Sequence, residues 1–338
     1  EKFSFSDPER YWHYLHHLFP NNSFLVAALD IAGWDLYGKL KKKSLHQIWN
    51  LNTQYSNYHA DIDANAFQDD KDSKVYSKNN LISTGFIYKN ENAIWHLNYS
   101  MDQTNRRYDD DSSSVGGYFK YSLSDYEGIS HFAELFGKFS IHKNWNIVTG
   151  IDSRLQRTDQ HFLFIDDYGI YEGGLKKDTS KINMFSAYTS LFYNSAKGFQ
   201  MEGGLRYNNH SRYGNNITYS LNPSLVTRQW KFFLNLSTAF KAPSLYQLYD
   251  AYSGMPSLQP EKSTILELGS QLHFFNNALT ARITGFMRNS INGIDYSFIN
   301  YKYFNNNRAW DKGVEWESSF RKGKWDLTFN YTYLTGKV

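Results

Sequence analysis

The chain has no cysteine. Disulfides, thiolate metal sites and cysteine nucleophiles are therefore excluded together. No apolar run reaches the roughly 18 residues of a membrane-spanning helix, so bilayer crossing by helices is excluded as well. No basic block is longer than Lys41–Lys43, and the formal net charge is +3 with His neutral, which argues against a nucleic-acid partner. Glycine-rich nucleotide loops are missing too: Gly173-Gly174 and Gly203-Gly204 are not followed by a helical pattern. The chain opens at Glu1 without a signal peptide, so an exported protein with this sequence is expected to have lost one, or to have a different natural start.

Aromatic residues are abundant at 18% (27 Tyr, 25 Phe, 9 Trp), although the mean hydropathy is −0.62. That combination suits a soluble protein. It suits a transmembrane barrel equally, because each strand shows lipid only every second side chain.

Two textures follow one another. Asp7-Pro8-Glu9 reads as a helix start, and Tyr11, Tyr14, Leu15 and Leu18 form a helical stripe. Ser23 can cap a second helix with Leu25, Ala28, Leu29, Ala32, Leu36 and Leu40 on one face, and Ser44 can open a third. Residues 1–52 are thus expected to be α-helical. From about residue 53 the period is two. Ala93, Trp95, Leu97, Tyr99 and Met101 alternate with Ile94, His96, Asn98, Ser100 and Asp102. Leu279, Ala281, Ile283 and Met287 oppose Thr280, Arg282, Thr284 and Arg288 in the same way. About fourteen such strands, each roughly 10–15 residues long, are expected.

The connections differ in length. Short ones fall at Lys89–Asn92, Lys143-Asn144, Ser195–Gly198, Arg228-Gln229, Asn276-Asn277 and Lys322–Lys324; long polar ones fall near 103–116, 158–180 and 241–262. Outer-membrane barrels sort their turns and loops to opposite rims in this manner. Trp145, Trp230 and Trp325 each follow a short turn on the apolar side of a strand, with Trp95 and Phe199 placed similarly. Strand propensity accounts for many aromatics but not for a shared height, which reads as an interfacial girdle. The expected fold is all-β, an antiparallel transmembrane β-barrel. Backbone groups in hydrocarbon need protein partners, so such a sheet must close.

Phe240-Lys241-Ala242-Pro243-Ser244-Leu245, with Leu248 and Tyr249 after it, resembles a strand-to-loop signature of TonB-dependent outer-membrane receptors. Leu258-Gln259-Pro260-Glu261-Lys262-Ser263, Glu267-Leu268-Gly269, Tyr303–Asn307 and Lys312-Gly313-Val314-Glu315 resemble its further motifs in order. The resemblance covers residues 53–338 and is closest to cobalamin and siderophore receptors of Gram-negative bacteria. It implies a barrel of roughly 22 strands, of which this chain holds part. It also implies uptake of a scarce solute and coupling to the TonB protein through a plug. No segment here matches that plug or a closing last strand, so the stretch is expected to be part of a longer receptor.

Phe24–Lys39 and Leu45–Trp49 resemble instead a helix of enolase-superfamily dipeptide epimerases, which makes residues 1–50 look like a fragment joined from another gene. Nothing matches that family's catalytic lysines or metal-binding acids, so the chain is not expected to be an enzyme. A passive porin-like barrel is the other alternative.

Expected site residues follow. Asp109, Asp110 and Asp111 could hold calcium, which prefers clustered oxygen ligands, or form a solvated loop tip; Asp69, Asp70 and Asp72 form a second such run. His13, His16 and His17 share a helix face that suits metal or plain exposure. Tyr246, Tyr249 and Tyr252 could meet a bulky ligand or pack within their loop. Glu134, Arg154, Glu202, Arg206 and Arg282 are expected to line the lumen. The expected surroundings are outer-membrane lipid, a small solute and no resident cofactor other than calcium.

Overall fold

The computed structural model describes residues 47–116, 119–276 and 278–337. They form one antiparallel sheet. Its strands are β1 (Gln47–Asp61), β2 (Lys74–Lys89), β3 (Ala93–Asp110), β4 (Tyr121–His142), β5 (Trp145–Ile165), β6 (Ile170–Leu175) and β7 (Lys181–Asn194). They continue with β8 (Phe199–His210), β9 (Gly214–Val226), β10 (Trp230–Lys241), β11 (Glu261–Phe274), β12 (Leu279–Ser297), β13 (Lys302–Lys322) and β14 (Trp325–Lys337). Each strand pairs with the next in sequence, except that β6 folds back on the upper half of β5 and β7 pairs the lower half. Among the described residues β1 and β14 each have one neighbour, so the sheet is open.

The short turns gather at one rim and lie where turn chemistry places them. Gly198 has φ +87, and a Cβ there would meet the Val226 carbonyl oxygen at 1.9 Å, so only glycine serves. Neighbouring turns are stitched together: Asn194 N–H donates to the Asn144 carbonyl, and Arg321 N–H to that of Ala278.

Register fixes the faces. Trp95 opposes Gly137, and Leu135 opposes Ile151, while Asn98, Glu134 and Asp152 lie opposite one another on the other side. The apolar face is bare. Leu268 is 64% exposed and Ile283 52%, and among the described residues few apolar side chains are buried: Ala93, Leu123, Ile182, Pro243, Leu248 and Leu258. A water-soluble sandwich buries such a face against a second layer. Here the large side chains project from one surface, as lipid contact requires. The girdle is also present: Trp145 packs on Tyr193 at 4.6 Å, Tyr193 on Phe199 at 6.1 Å, and Trp95 edge-on to Phe139 at 5.0 Å, all beside the turn rim.

Three expectations need correction. Strand β1 begins at Gln47, so Gln47–Asn52 are strand rather than the end of a helical segment. Burial of apolar stripes cannot separate the two forms over so few residues. The remaining helical assignments, with His13, His16 and His17, lie outside the described residues. The loops near 103–116 and 158–180 are largely strand, since β3 runs to Asp110 and β5 to Ile165, where β6 pairs it. Strands of 18 to 22 residues exceed the roughly 9–11 needed to cross lipid, and their polar upper halves stand in water. Finally, the 241–262 connection contains a helix, α1 (Leu245–Tyr249).

Candidate ligand-binding site

Helix α1 is built from its sequence. The Ser244 side chain accepts from Gln247 N–H at 3.1 Å, and the Gln247 side chain accepts from Ser244 N–H at 2.9 Å, a complete capping box. Asp250 ends the turn, its carboxylate accepting from the Ser253 hydroxyl at 2.7 Å and the Ser253 N–H at 2.9 Å. Leu248 and Leu258 then bury fully against Ile182 of β7, with Ile294 of β12 and Tyr303 of β13 around them. This is the hydrophobic core of the described residues, and it lies on the polar face of the sheet, not the apolar one.

That placement requires strong curvature. The Tyr246 ring lies 6.3 Å from Tyr126 of β4 and 6.2 Å from Tyr303 of β13. Along the sheet these strands are eight steps apart, roughly 38 Å at the usual spacing. One short helix can touch both only if the sheet curls around it. The polar face is therefore concave and inner, and the 242–260 loop roofs it at the loop rim.

The roof is pinned from the β8–β9 turn. Arg212 Nη1 donates to the Tyr249 hydroxyl at 2.7 Å, and its Nη2 donates to the Pro256 carbonyl. The Tyr213 hydroxyl donates to the Leu258 carbonyl at 2.8 Å. Tyr252 stacks obliquely on Phe162 of β5 at 5.0 Å. The three tyrosines thus contact barrel strands or the β8–β9 turn, while Tyr246 and Tyr252 remain 45% and 53% exposed. Burial, and then the nearby Asp250 charge, push the Tyr126 phenol up to about 12; burial likewise raises Tyr246. These hydroxyls stay neutral donors at any physiological pH.

All five residues expected on the lumen wall lie on the inner face by register, in separate groups. Glu134 accepts from Asn98 at 3.1 Å and from the Tyr188 hydroxyl at 2.8 Å. Beside it Arg206 pairs with the almost fully buried Asp152 at 2.6 Å and lies over the Tyr188 ring. Arg154 stands apart, over Phe132 at 5.3 Å. Glu202 and Arg282 line a groove of about 450 Å³ nearer the turn rim, where Arg282 approaches Glu317 at 3.7 Å and the Phe233 ring at 4.8 Å. Buried side-chain oxygens of Ser77, Asp152, Gln160, Ser186, Asn216 and Asn222 have no hydrogen-bond partner among the described residues, and all six face inward.

The two acidic runs meet. Carboxylate oxygens of Asp70, Asp72 and Asp110 lie within 4.8 Å of one another. Asp72 is the hub, accepting from Ser113 N–H at 2.6 Å and Ser114 N–H at 2.7 Å, while one of its oxygens is buried without a partner. The neighbouring Asp111 and Asp70 carboxyls and the Ser113 hydroxyl hold the Asp72 pKa well below the usual carboxylate range, and the proximity of Asp72 raises that of Asp70. Asp109 is not in this group: it faces outward and binds Arg107 at 2.9 Å. Asp69 also lies outside the group. Arg212, Tyr213 and Tyr126 were not anticipated. No motif marks them, since their role comes from strands distant in sequence.

The profile described as "TonB dependent receptor-like, beta-barrel" matches residues 27–338, starting inside the segment set apart as enolase-like. Among solved structures, the ferric enterobactin receptor PfeA of Pseudomonas aeruginosa superposes with TM-score 0.64 at 16% identity, over 86% of this chain and 49% of that one. The ferric yersiniabactin uptake receptor FyuA of Yersinia pestis gives 0.63 at 14%, over 87% and 50%. The copper transporter OprC gives 0.63 at 14%, over 86% and 53%. The chain spans about half the length of these structures.

Proposed function

The chain belongs to the TonB-dependent receptor β-barrel family of the outer membrane, and we propose on that footing that it forms part of an importer for a scarce extracellular solute. Iron chelates, cobalamin and similar molecules are the class of cargo. Binding occurs at the loop rim, where the 242–260 roof covers the inner wall, and release inward is driven by TonB acting through a plug.

The observation that carries this reading is the roof. A pinned, aromatic loop folded into the mouth narrows the passage and presents tyrosines and arginines to whatever enters. The inward-facing polar atoms without partners support a hydrated wall on which a polar plug can sit. The uptake reading is tested in cells carrying the complete gene. Growth on a limiting iron or cobalamin source should need both the receptor and TonB. Growth indifferent to TonB would favour the passive pore.

We also propose that Asp70, Asp72 and Asp110 bind calcium and tie the β1–β2 loop to the β3–β4 loop. Support comes from an all-oxygen donor set and the unpartnered Asp72 oxygen. The enolase-like resemblance ahead of β1 remains a proposal that the chain is an artificial or misassembled join of two genes; a continuous natural reading frame in the source DNA, with reads spanning the junction, would remove it.

A further inference from the structure

We propose that His210 is a positioning residue of the mouth: its neutral imidazole holds the β8–β9 turn in the shape that fastens the 242–260 roof, so that mild acid unfastens it. This rests on the uptake reading above and adds a control to it.

The β8–β9 connection is a turn of Ser211, Arg212 and Tyr213, closed by the His210–Gly214 pair, with Gly214 at φ +66. Within it His210 Nδ1 accepts the Arg212 N–H at 3.1 Å and, more loosely, the Tyr213 N–H at 3.4 Å. Asparagine and aspartate shape turns by the same bond to the amide two residues on. Here an imidazole does it. The Tyr213 ring lies against that of His210, centroids 4.9 Å apart. Ser211 is held independently, its N–H donating to the Asn183 carbonyl at 2.8 Å and its Oγ accepting from Asn183 N–H at 3.1 Å. What depends on His210 is therefore the Arg212-Tyr213 backbone. Those two residues make the bonds to the roof: Arg212 to the Tyr249 hydroxyl and the Pro256 carbonyl, Tyr213 to the Leu258 carbonyl.

An imidazole nitrogen accepts only while unprotonated. Protonation turns Nδ1 into a donor aimed at two other donors and sets a cation beside Arg212. His210 is the last of the 12 residues of β8 and only 3% exposed. A strand of that length spans roughly 36 Å and reaches past an apolar band about 25 Å tall. Burial, and then the Arg212 charge, hold the His210 pKa below the usual histidine value. An opened turn gives the ring back to water, where it titrates near about 6.5. The open form thus takes the proton first, so the fastening is at full strength above about pH 6.5 and weakens as pH falls below it. The other charges on this face do not reverse that. Arg206, deeper on β8, pairs with Asp152 of β5 at 2.6 Å. Arg154 of β5 shares the His210 row two strands away, with neutral Met184 of β7 between them. β9 places Gly214 opposite. The roof brings the Tyr249 phenol and Asp250, whose carboxylate is bound by Ser253.

The test measures hydrogen exchange of the full-length receptor with its plug, purified in detergent, between pH 7.5 and 5.5. Results are read as protection factors, which remove the pH dependence of exchange itself. Protection of 245–258 should be roughly three- to tenfold lower at pH 5.5, one proton giving at most about tenfold per pH unit, while β11 and β12 peptides stay level. His210→Asn keeps an acceptor for the turn and cannot titrate, so it should hold the roof as the wild type does at pH 7.5 and lose the pH dependence. His210→Leu has no acceptor and should leave 245–258 poorly protected at every pH. Heat-modifiable gel mobility confirms that each variant is folded. Wild-type protection that ignores pH, a pH slope that survives in His210→Asn, a His210→Asn roof as open as that of His210→Leu, or a His210→Leu roof as closed as the wild type each overturn the inference. TonB-dependent growth is read separately at neutral pH, so the uptake reading can stand while the acid-sensitive fastening falls.

Discussion

Leu248→Ala should free the roof and leave the barrel intact. Leu248 is fully buried, and its neighbours Leu258 and Ile182 are 2% and 5% exposed, so truncation removes the centre of a small cluster. Large-to-small changes of this kind cost about 2–5 kcal/mol. A loop can partly collapse onto the gap, which places this one near the low end, about 2–3 kcal/mol. The strands carry their own ladder of backbone hydrogen bonds, so the loss falls on local opening of the loop rather than on global unfolding. Amide exchange in 245–258 should then quicken roughly 30- to 150-fold, since each 1.4 kcal/mol is about tenfold. Hydrogen exchange read by mass spectrometry on the folded receptor measures this directly. Peptides from β8, β11 and β12 should exchange as before. Equal acceleration throughout, or no change in 245–258, would refute the idea that this cluster pins the loop.

Three other outcomes are expected. Leu268→Arg, at mid-height on the bare face, should cost about 2–4 kcal/mol in bilayer refolding, whereas Gln271→Arg, lining the inner groove on the same strand, should cost far less. Arg206→Gln leaves the Asp152 carboxylate buried without its cation, so it should lower the melting temperature of the folded receptor more than Arg308→Gln does. Calcium should raise resistance of the β1–β2 and β3–β4 loops to protease. Asp72→Asn should abolish that effect, whereas Asp109→Asn, outside the carboxylate group, should retain it.

Much of the fold was legible because alternation and turn chemistry are local signals. The short turn at Ser195–Gly198 and the strands flanking it could be placed from residues within reach of one another in sequence. Strand ends on the other rim were not legible. Polar residues such as Asn105 and Arg106 look alike in a loop and in a strand that stands in water. Helix α1 is hidden for a related reason: five residues are too few to show a helical period, and the Ser244–Gln247 capping box lies directly after the end of a strand. At the site, residue types were readable and partners were not. Tyr246 stood out as an aromatic in a loop, but nothing near it in sequence announces Tyr126 or Tyr303. The acidic runs show the same limit. Asp109 and Asp110 are adjacent in sequence, yet the period of two sends one outward to Arg107 and the other toward Asp70 and Asp72.

The stretch has no cysteine, so single introduced thiols report cleanly on which face each position occupies. Spin labels at consecutive positions 279–288 of β12, in the full receptor in lipid, test the central claim. Collisions with oxygen should peak at 279, 281, 283 and 287, and collisions with a water-soluble nickel chelate at 280, 282, 284 and 288. A profile without that two-residue alternation, or one in which Ile283 meets water as readily as Thr284, would contradict a membrane barrel.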